Sequence, residues 1–174
     1  MLPILLALAF IVIILLVAIA GQPDEFAVTR ATRVAAPPAK IFPHVNDLHR
    51  WEAWSPWVKL DPNAKNTFSG SAAGAGAAMA WDGNSKVGAG RMTITESQRE
   101  ERIRLRLDFQ KPMKATNTAE FNFRPEGGQT VVTWSMAGKS GFMGKVFGLL
   151  MNCEKMIANQ FDQGLASLKS VAER

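Results

Sequence analysis

The chain has 174 residues, of which 47% are hydrophobic and 20% are charged, and its net charge is +5. This composition is typical of a globular protein and excludes a disordered chain, while the single cysteine, Cys153, excludes an intrachain disulfide. The basic residues are spread along the chain without a recognised binding motif, so no nucleic-acid partner is expected.

The N-terminal region is an uncharged apolar run from Leu2 to Ala20. At 1.5 Å of rise per residue such a helix can cross the roughly 30 Å core of a bilayer, so residues 1–21 are predicted to form a single-pass transmembrane anchor. The small residues before Gly21 also fit a signal-peptide cleavage site, which leaves a cleaved signal peptide as the alternative. The side of the membrane that the domain faces stays open.

Residues 22–174 have the size of one domain. A first strand is predicted over Phe26–Val34, and Pro37 and Pro38 open a short helix. Asn46 or Asp47 can cap a second short helix, which carries two of three clustered tryptophans, Trp51 and Trp54.

These tryptophans, Trp51, Trp54 and Trp57, stand in the string WEAWSPW. Each ring can bury roughly 150–250 Å², an area too large to leave in water. Trp51 and Trp54 share one helical face, and Ser55-Pro56 ends the helix and turns Trp57 aside. The cluster is therefore predicted to be core or the wall of an apolar pocket.

The middle of the chain has the alternation of strands with one wet face. Apolar and charged residues alternate without error from Arg102 to Phe109, and the pattern returns over Ala119–Phe123 and Val132–Met136. Turn residues such as Gly83-Asn84 separate these segments. The prediction is a curved antiparallel sheet of about seven strands.

From Phe142 to Leu168 apolar residues recur at three- and four-residue steps. This spacing predicts one long C-terminal helix whose apolar stripe packs across one face of the sheet.

Few residues point to catalysis. His44 and His49 lack partners at metal-ligand spacing, and no motif ties Cys153 to either histidine. The glycines near Gly74 and Gly88 precede no helix, which favours bends in the sheet over a phosphate loop. No catalytic residue, metal site or cofactor is predicted.

The distinctive residues are instead large and apolar. Methionine adapts to varied ligand shapes and tryptophan supplies a broad wall, so this set can line a hydrophobic cavity, although ordinary core packing explains it equally well. The candidate ligand-binding residues are Trp51, Trp54, Trp57, Trp81, Met92, Phe109, Phe121, Trp134, Met136, Met151 and Met156. The cavity is expected between the C-terminal helix and the sheet, with Trp134, Met136 and Met156 near its wall.

A series of segments carries a family resemblance. In order along the chain they are the strand FAVTRATRVAAPPAKIF, the WEAWSPW turn, the hairpins GSAAGAGAAMAWDG and KVGAGRMTITES, the segments LDFQKPMKATNTAEFNF and GGQTVVTWSMAG, and the final helix FDQGLASLKSV. Together they resemble the SRPBCC superfamily (START/Bet v1-like). The likeness is to its polyketide cyclase/dehydrase-like branch and covers residues 24 to 172. It implies an α+β helix-grip fold, with two short helices, a long C-terminal helix and a cavity scaffold.

The sequence thus predicts a membrane-anchored, monomeric module that binds a small hydrophobic ligand, either a lipid or a polyketide-like compound, with no catalysis implied. One alternative is a cyclase or dehydratase acting on a hydrophobic substrate. The other is a structural or interaction module with a filled core.

Overall fold

The computed structural model describes residues 2–150 and 153–174. Its first element is α1 (Leu2–Ala20), whose described leucine, isoleucine, valine and phenylalanine side chains are largely exposed. Among the described residues, no helix combines the length and apolar character that a membrane crossing requires. The transmembrane part of the prediction is therefore not supported.

The helices after the first strand follow the proline and capping signals. Strand β1 (Glu25–Val34) leads into α2 (Pro38–Asn46), which begins at a proline. Asp47 then caps a 3₁₀ helix (Leu48–Ala53), because its Oδ1 accepts the His49 backbone N–H at 3.0 Å. Pro56 starts a further short helix, α3 (Pro56–Leu60), so the WEAWSPW segment spans the junction of two helices.

The remaining strands form a meander with β1 at one edge and β2 at the other. All neighbours are antiparallel, in the order β1-β7-β6-β5-β4-β3-β2, which confirms the predicted seven-stranded sheet. The β6–β7 turn uses Gly127 and Gly128 at φ of 58° and 84°, a conformation that glycine adopts without strain. The strands are β2 (Lys65–Ser69), β3 (Ala78–Asp82), β4 (Ala89–Gln98), β5 (Arg102–Lys111), β6 (Ala115–Glu126) and β7 (Gln129–Lys139).

The C-terminal region predicted as one helix is helical on both sides of residues 151 and 152. The helical segments are α4 (Phe142–Leu150) and α5 (Cys153–Ala172), and residues 151 and 152 lie outside the described part of the chain.

Helix α5 lies against β1 and β7, and its last turns are tied to the end of β1. Lys169 Nζ donates to the Arg33 carbonyl at 2.6 Å, and Glu173 accepts the Ala35 backbone N–H at 2.6 Å. Arg30 and Asp162 add an ion pair at 3.2 Å. The sheet face on which α5 packs is called the inner face below, and this packing confirms the predicted helix-grip arrangement.

Candidate functional site

The inner face beneath the second half of α5 is filled by stacked aromatic rings. Trp134 of β7 lies between Phe121 of β6 and Phe161 of α5, with ring centroids 4.7 Å and 4.0 Å away. Trp134 is only 2% exposed, and Phe121 and Phe161 are equally enclosed. This part of the helix–sheet interface is packed core, so the cavity expected beside Trp134 is not there.

Two tryptophans of the WEAWSPW segment complete this core. The rings of Trp51 and Trp54 are 4.7 Å apart, as their shared helical face predicted. Their indole N–H groups donate to the carbonyls of Val45 and His44 at 3.0 Å and 2.9 Å. Because these bonds satisfy the one polar atom of each ring, both side chains can be fully buried without penalty.

On β5 and β1, burial falls towards the other end of the sheet. On β5, Ile103 and Leu105 are buried, whereas Leu107 and Phe109 are partly exposed. On β1, Val28 is buried and Phe26 is partly exposed. The inner face is therefore closed at one end and open to solvent at the other.

One row of cross-strand partners crosses all seven strands at the level where β5 and β1 become partly exposed. Cross-strand pairing links its members in sequence, and we call them the end row. From β2 to β1 the end row consists of Phe68, Met79, Met92, Leu107, Asn117, Gly138 and Phe26.

Beyond the end row, two aromatic side chains form a wall. Trp81 and Phe109 meet edge to face with centroids 5.6 Å apart. Trp81 lies across Gly90, where a Cβ would come within 2.6 Å of the indole, so only glycine permits this crossing. Trp81 and Phe109 are both partly exposed, and together with the end row they form the open end of the inner face.

The eleven candidate residues thus separate into different environments. Trp51, Trp54, Phe121 and Trp134 are core, and Met136 is also buried. Trp81 and Phe109 belong to the open end, and Met92 is an end-row residue whose side chain is buried like that of Met136. Trp57 is partly buried with its ring edge-on to Trp134 at 5.6 Å, and Met151 lies outside the described residues.

Met156 is not at the helix–sheet interface. Its side chain is 53% exposed, because the inward stripe of α5 runs through Ile157 and Phe161 instead. The sheet-facing position predicted for Met156 is therefore wrong by about one residue around the helix.

The best-formed depressions among the described residues are both shallow. One lies between the ends of β1, β7 and β6, where Ala27, Thr118 and Ala137 leave space between larger neighbours. The other lies at the β5–β6 hairpin and includes Phe109 and Ala115, so it borders the open end.

The two histidines singled out from the sequence have different surroundings. His49 stacks on Phe68 at 3.9 Å and lies 3.1 Å from Asp47. Burial lowers the pKa of His44 below its usual range, and the charge of Arg50 lowers it further.

The arginine stripe of β5 is paired across the strands. Arg102 lies 2.6 Å from Glu96, and Arg104 lies 2.8 Å from Glu120. The stripe is therefore an ion-paired outer face rather than an anion site.

Asn117 is the functional candidate that sequence reasoning missed. It is 7% exposed and lies on the inner face of β6, on the same side of the strand as Ala119, Phe121 and Phe123. The available signal was a polar residue at an apolar position of an alternating strand.

Residues 25–173 match the protein family described as polyketide cyclase / dehydrase and lipid transport. The chain belongs to this family. The match covers the whole domain after α1, and it confirms the resemblance to the SRPBCC superfamily at the level of family and fold. A search of curated proteins finds no match to this chain.

Solved structures with the same fold are distant in sequence. Protein MLL2253 from Mesorhizobium loti is 14% identical, with a TM-score of 0.63 over 86% of this chain and 98% of that chain. The Aha1 dimer from Colwellia psychrerythraea is 17% identical, with a TM-score of 0.58 over 85% of this chain and 96% of that chain.

The di-domain ARO/CYC protein BexL from the BE-7585A biosynthetic pathway is 13% identical, with a TM-score of 0.62. The match covers 91% of this chain and 53% of BexL. At these identities the similarities show the fold alone.

Proposed function

We propose that this protein binds a small hydrophobic molecule at the open end of its inner face. The observation that carries the proposal is the burial gradient along the strands, which leaves Leu107, Phe109 and Trp81 partly exposed while Ile103 and Leu105 are enclosed. A contiguous apolar surface of this kind, bounded by a rigid sheet, is typical of a ligand site. The family description, which includes lipid transport, is consistent with this function.

Binding is favoured over catalysis by the composition of the end row. Of its seven residues, all of which the structure describes, Asn117 is the one with a polar side chain. An amide does not titrate, whereas cyclase or dehydratase chemistry requires a group that moves protons in the site. His49 contacts the row only at Phe68 of the edge strand β2, where it pairs with Asp47. The alternative of a filled structural core fits the closed end of the domain but leaves the open end unexplained.

Equilibrium dialysis of the full chain in a non-ionic detergent against N-phenyl-1-naphthylamine tests the proposal, with protein-free detergent as the reference. We expect binding to the wild type, and a dissociation constant raised about fivefold by Phe109→Ala. Losing part of an aromatic contact costs roughly 1 kcal/mol, and each 1.4 kcal/mol corresponds to a factor of ten. Trp81→Ala should weaken binding similarly.

Ala27→Leu is the matched control, because Ala27 is exposed on the outer face of β1, at the far side of the sheet from Trp81 and Phe109. The depression that it lines also includes Phe26 and Gly138 of the end row, so the variant tests that edge of the row separately. The affinity of Ala27→Leu for the dye should equal that of the wild type. Loss of binding in Ala27→Leu but not in Phe109→Ala would place the ligand in that depression. An absence of dye binding to the wild type would refute the proposed function.

We also propose that α1 holds the protein at a membrane, with the open end turned towards the lipid. The proposal rests on the uncharged sequence Leu2–Ala20 and on the side from which α1 leaves the domain. Strand β1 begins at Glu25, next to Phe26 of the end row, and Lys145 of α4 pairs with Asp24 at 2.6 Å. A hydrophobic ligand could then pass between bilayer and binding site over a short distance.

A further inference from the structure

The end row contains one buried polar atom without a partner. Among the described residues, no group donates a hydrogen bond to Asn117 Oδ1, although this oxygen is enclosed. Three other buried side-chain atoms of the described residues also lack a partner, Arg102 Nε, Trp134 Nε1 and Gln160 Oε1, but none of them lies in the end row. A buried acceptor left unpaired costs roughly 1–3 kcal/mol. Asn117 Oδ1 therefore points to a missing hydrogen-bond donor.

The local geometry shows how the amide fits there. Asn117 stands opposite Gly138 on β7, and a Cβ added to Gly138 would collide with Asn117 Oδ1. The same hypothetical Cβ would lie 3.0 Å from the ring of Phe26. The oxygen thus occupies the space that glycine leaves free, beside Phe26.

On the other side, Asn117 pairs with Leu107 of β5. Leu107 and Phe26 are both partly exposed, so the amide lies between two side chains that border solvent. A ligand lying on the end row would place its body against these apolar groups. Because the oxygen is enclosed, a turn of the Asn117 side chain would present it to the polar group of the ligand.

We propose that Asn117 is the polar anchor of the open end and accepts a hydrogen bond from a hydroxyl group of the ligand. This inference rests on the proposed function and narrows the ligand to a neutral amphipathic molecule, with an alkyl or aryl body and a hydroxyl group. A carboxylate has no proton to donate. An ammonium group would lose its hydration in a row that has no charged side chain to replace it.

A pair of probes of nearly equal shape tests the anchor. 2-Naphthol carries a hydroxyl donor and 2-methoxynaphthalene does not. Equilibrium dialysis of the full chain in detergent, corrected by protein-free detergent, should show 2-naphthol bound about 2- to 12-fold more tightly, as a net 0.5–1.5 kcal/mol hydrogen bond predicts.

In Asn117→Leu this preference should disappear, while the affinity for 2-methoxynaphthalene stays within about twofold. Gly138→Ala is an independent second variant, because its new Cβ must displace the amide, and it should also abolish the preference. Thr118→Val, on the opposite face of the same strand, should retain it.

The outcomes separate the two proposals. If the wild type binds both probes equally, or if Asn117→Leu keeps the preference, the anchor is refuted and the apolar site stands. If Asn117→Leu does not fold, the result with Gly138→Ala decides, since its retention of the preference would equally refute the anchor. If the wild type binds neither probe, the proposed function fails.

Discussion

At the residue scale, Gly164 sets how closely α5 approaches the sheet. A Cβ at this position would lie 2.8 Å from Trp134 Cζ3 and 3.1 Å from Pro56 Cδ. Because Gly164 has no side chain, α5 can approach the sheet closely enough for Phe161 to stack on Trp134. The closed end of the domain therefore owes its tight packing to one missing methyl group.

We expect Gly164→Ala to lower the free energy of unfolding by about 1–3 kcal/mol, because an extra carbon in a packed core forces side chains out of their preferred positions. Thermal unfolding followed by circular dichroism measures the effect. Gly148→Ala is the matched control, since a Cβ there meets nothing within 4 Å, and alanine favours the helix. Equal melting temperatures of the two variants would contradict the role given to Gly164.

At the scale of elements, α5 has two parts with different surroundings. None of the residues Cys153–Ile157 is buried, whereas Phe161, Leu165 and Leu168 are almost wholly enclosed. Helix segments with few buried contacts open locally more often than segments in a core. The start of α5 is therefore the more mobile part of the helix.

Hydrogen exchange should reveal this difference. The amides of Leu165 and Leu168 are expected to exchange at least about tenfold more slowly than those of Met156 and Ile157, because opening the former disrupts the aromatic stack. Mass spectrometry of overlapping peptides can resolve the two regions. Uniform exchange along α5 would argue that the helix opens as one unit.

The sequence predicted these elements better than their surroundings. The alternation on β5 and the turn glycines of the β6–β7 hairpin specify strands locally, so the seven-stranded sheet could be predicted from the sequence. Which end of the sheet stays open depends on where α5 comes to rest, and that is a tertiary property. Helical periodicity could not separate Met156 from Ile157, because the two are neighbours near the border of one stripe.

The candidate site was predicted in part for the same reason. Trp81, Met92 and Phe109 lie at the open end, but Trp54 and Trp134, which carry the same apolar signal, are core. Composition identifies residues that avoid water without showing whether protein or ligand covers them. Asn117 was missed because an isolated asparagine in a strand is common on an outer face.

At the scale of the whole molecule, α1 stands apart from the core. The buried hydrophobic residues run from Val28 to Ala172, and the family match begins at residue 25. The domain can therefore bury its apolar surface without α1.

Deleting residues 1–22 should yield a soluble monomer with one cooperative thermal transition, and it should move the protein from the membrane fraction to the supernatant of lysed cells. Size-exclusion chromatography, calorimetry and cell fractionation measure these properties. An aggregated product would contradict the single-domain interpretation. A full chain that is already in the supernatant would contradict the membrane proposal.

The strand order also has a consequence for biosynthesis. Strands β2 to β7 pair with their neighbours along the chain, but β1 pairs with β7, about one hundred residues later, and α5 is fastened to the end of β1. During translation β1 remains unpaired until β7 has left the ribosome. Closing so long a loop is slow, and an unpaired strand can pair with other chains, so the nascent chain is exposed to aggregation until β7 is available to pair with β1.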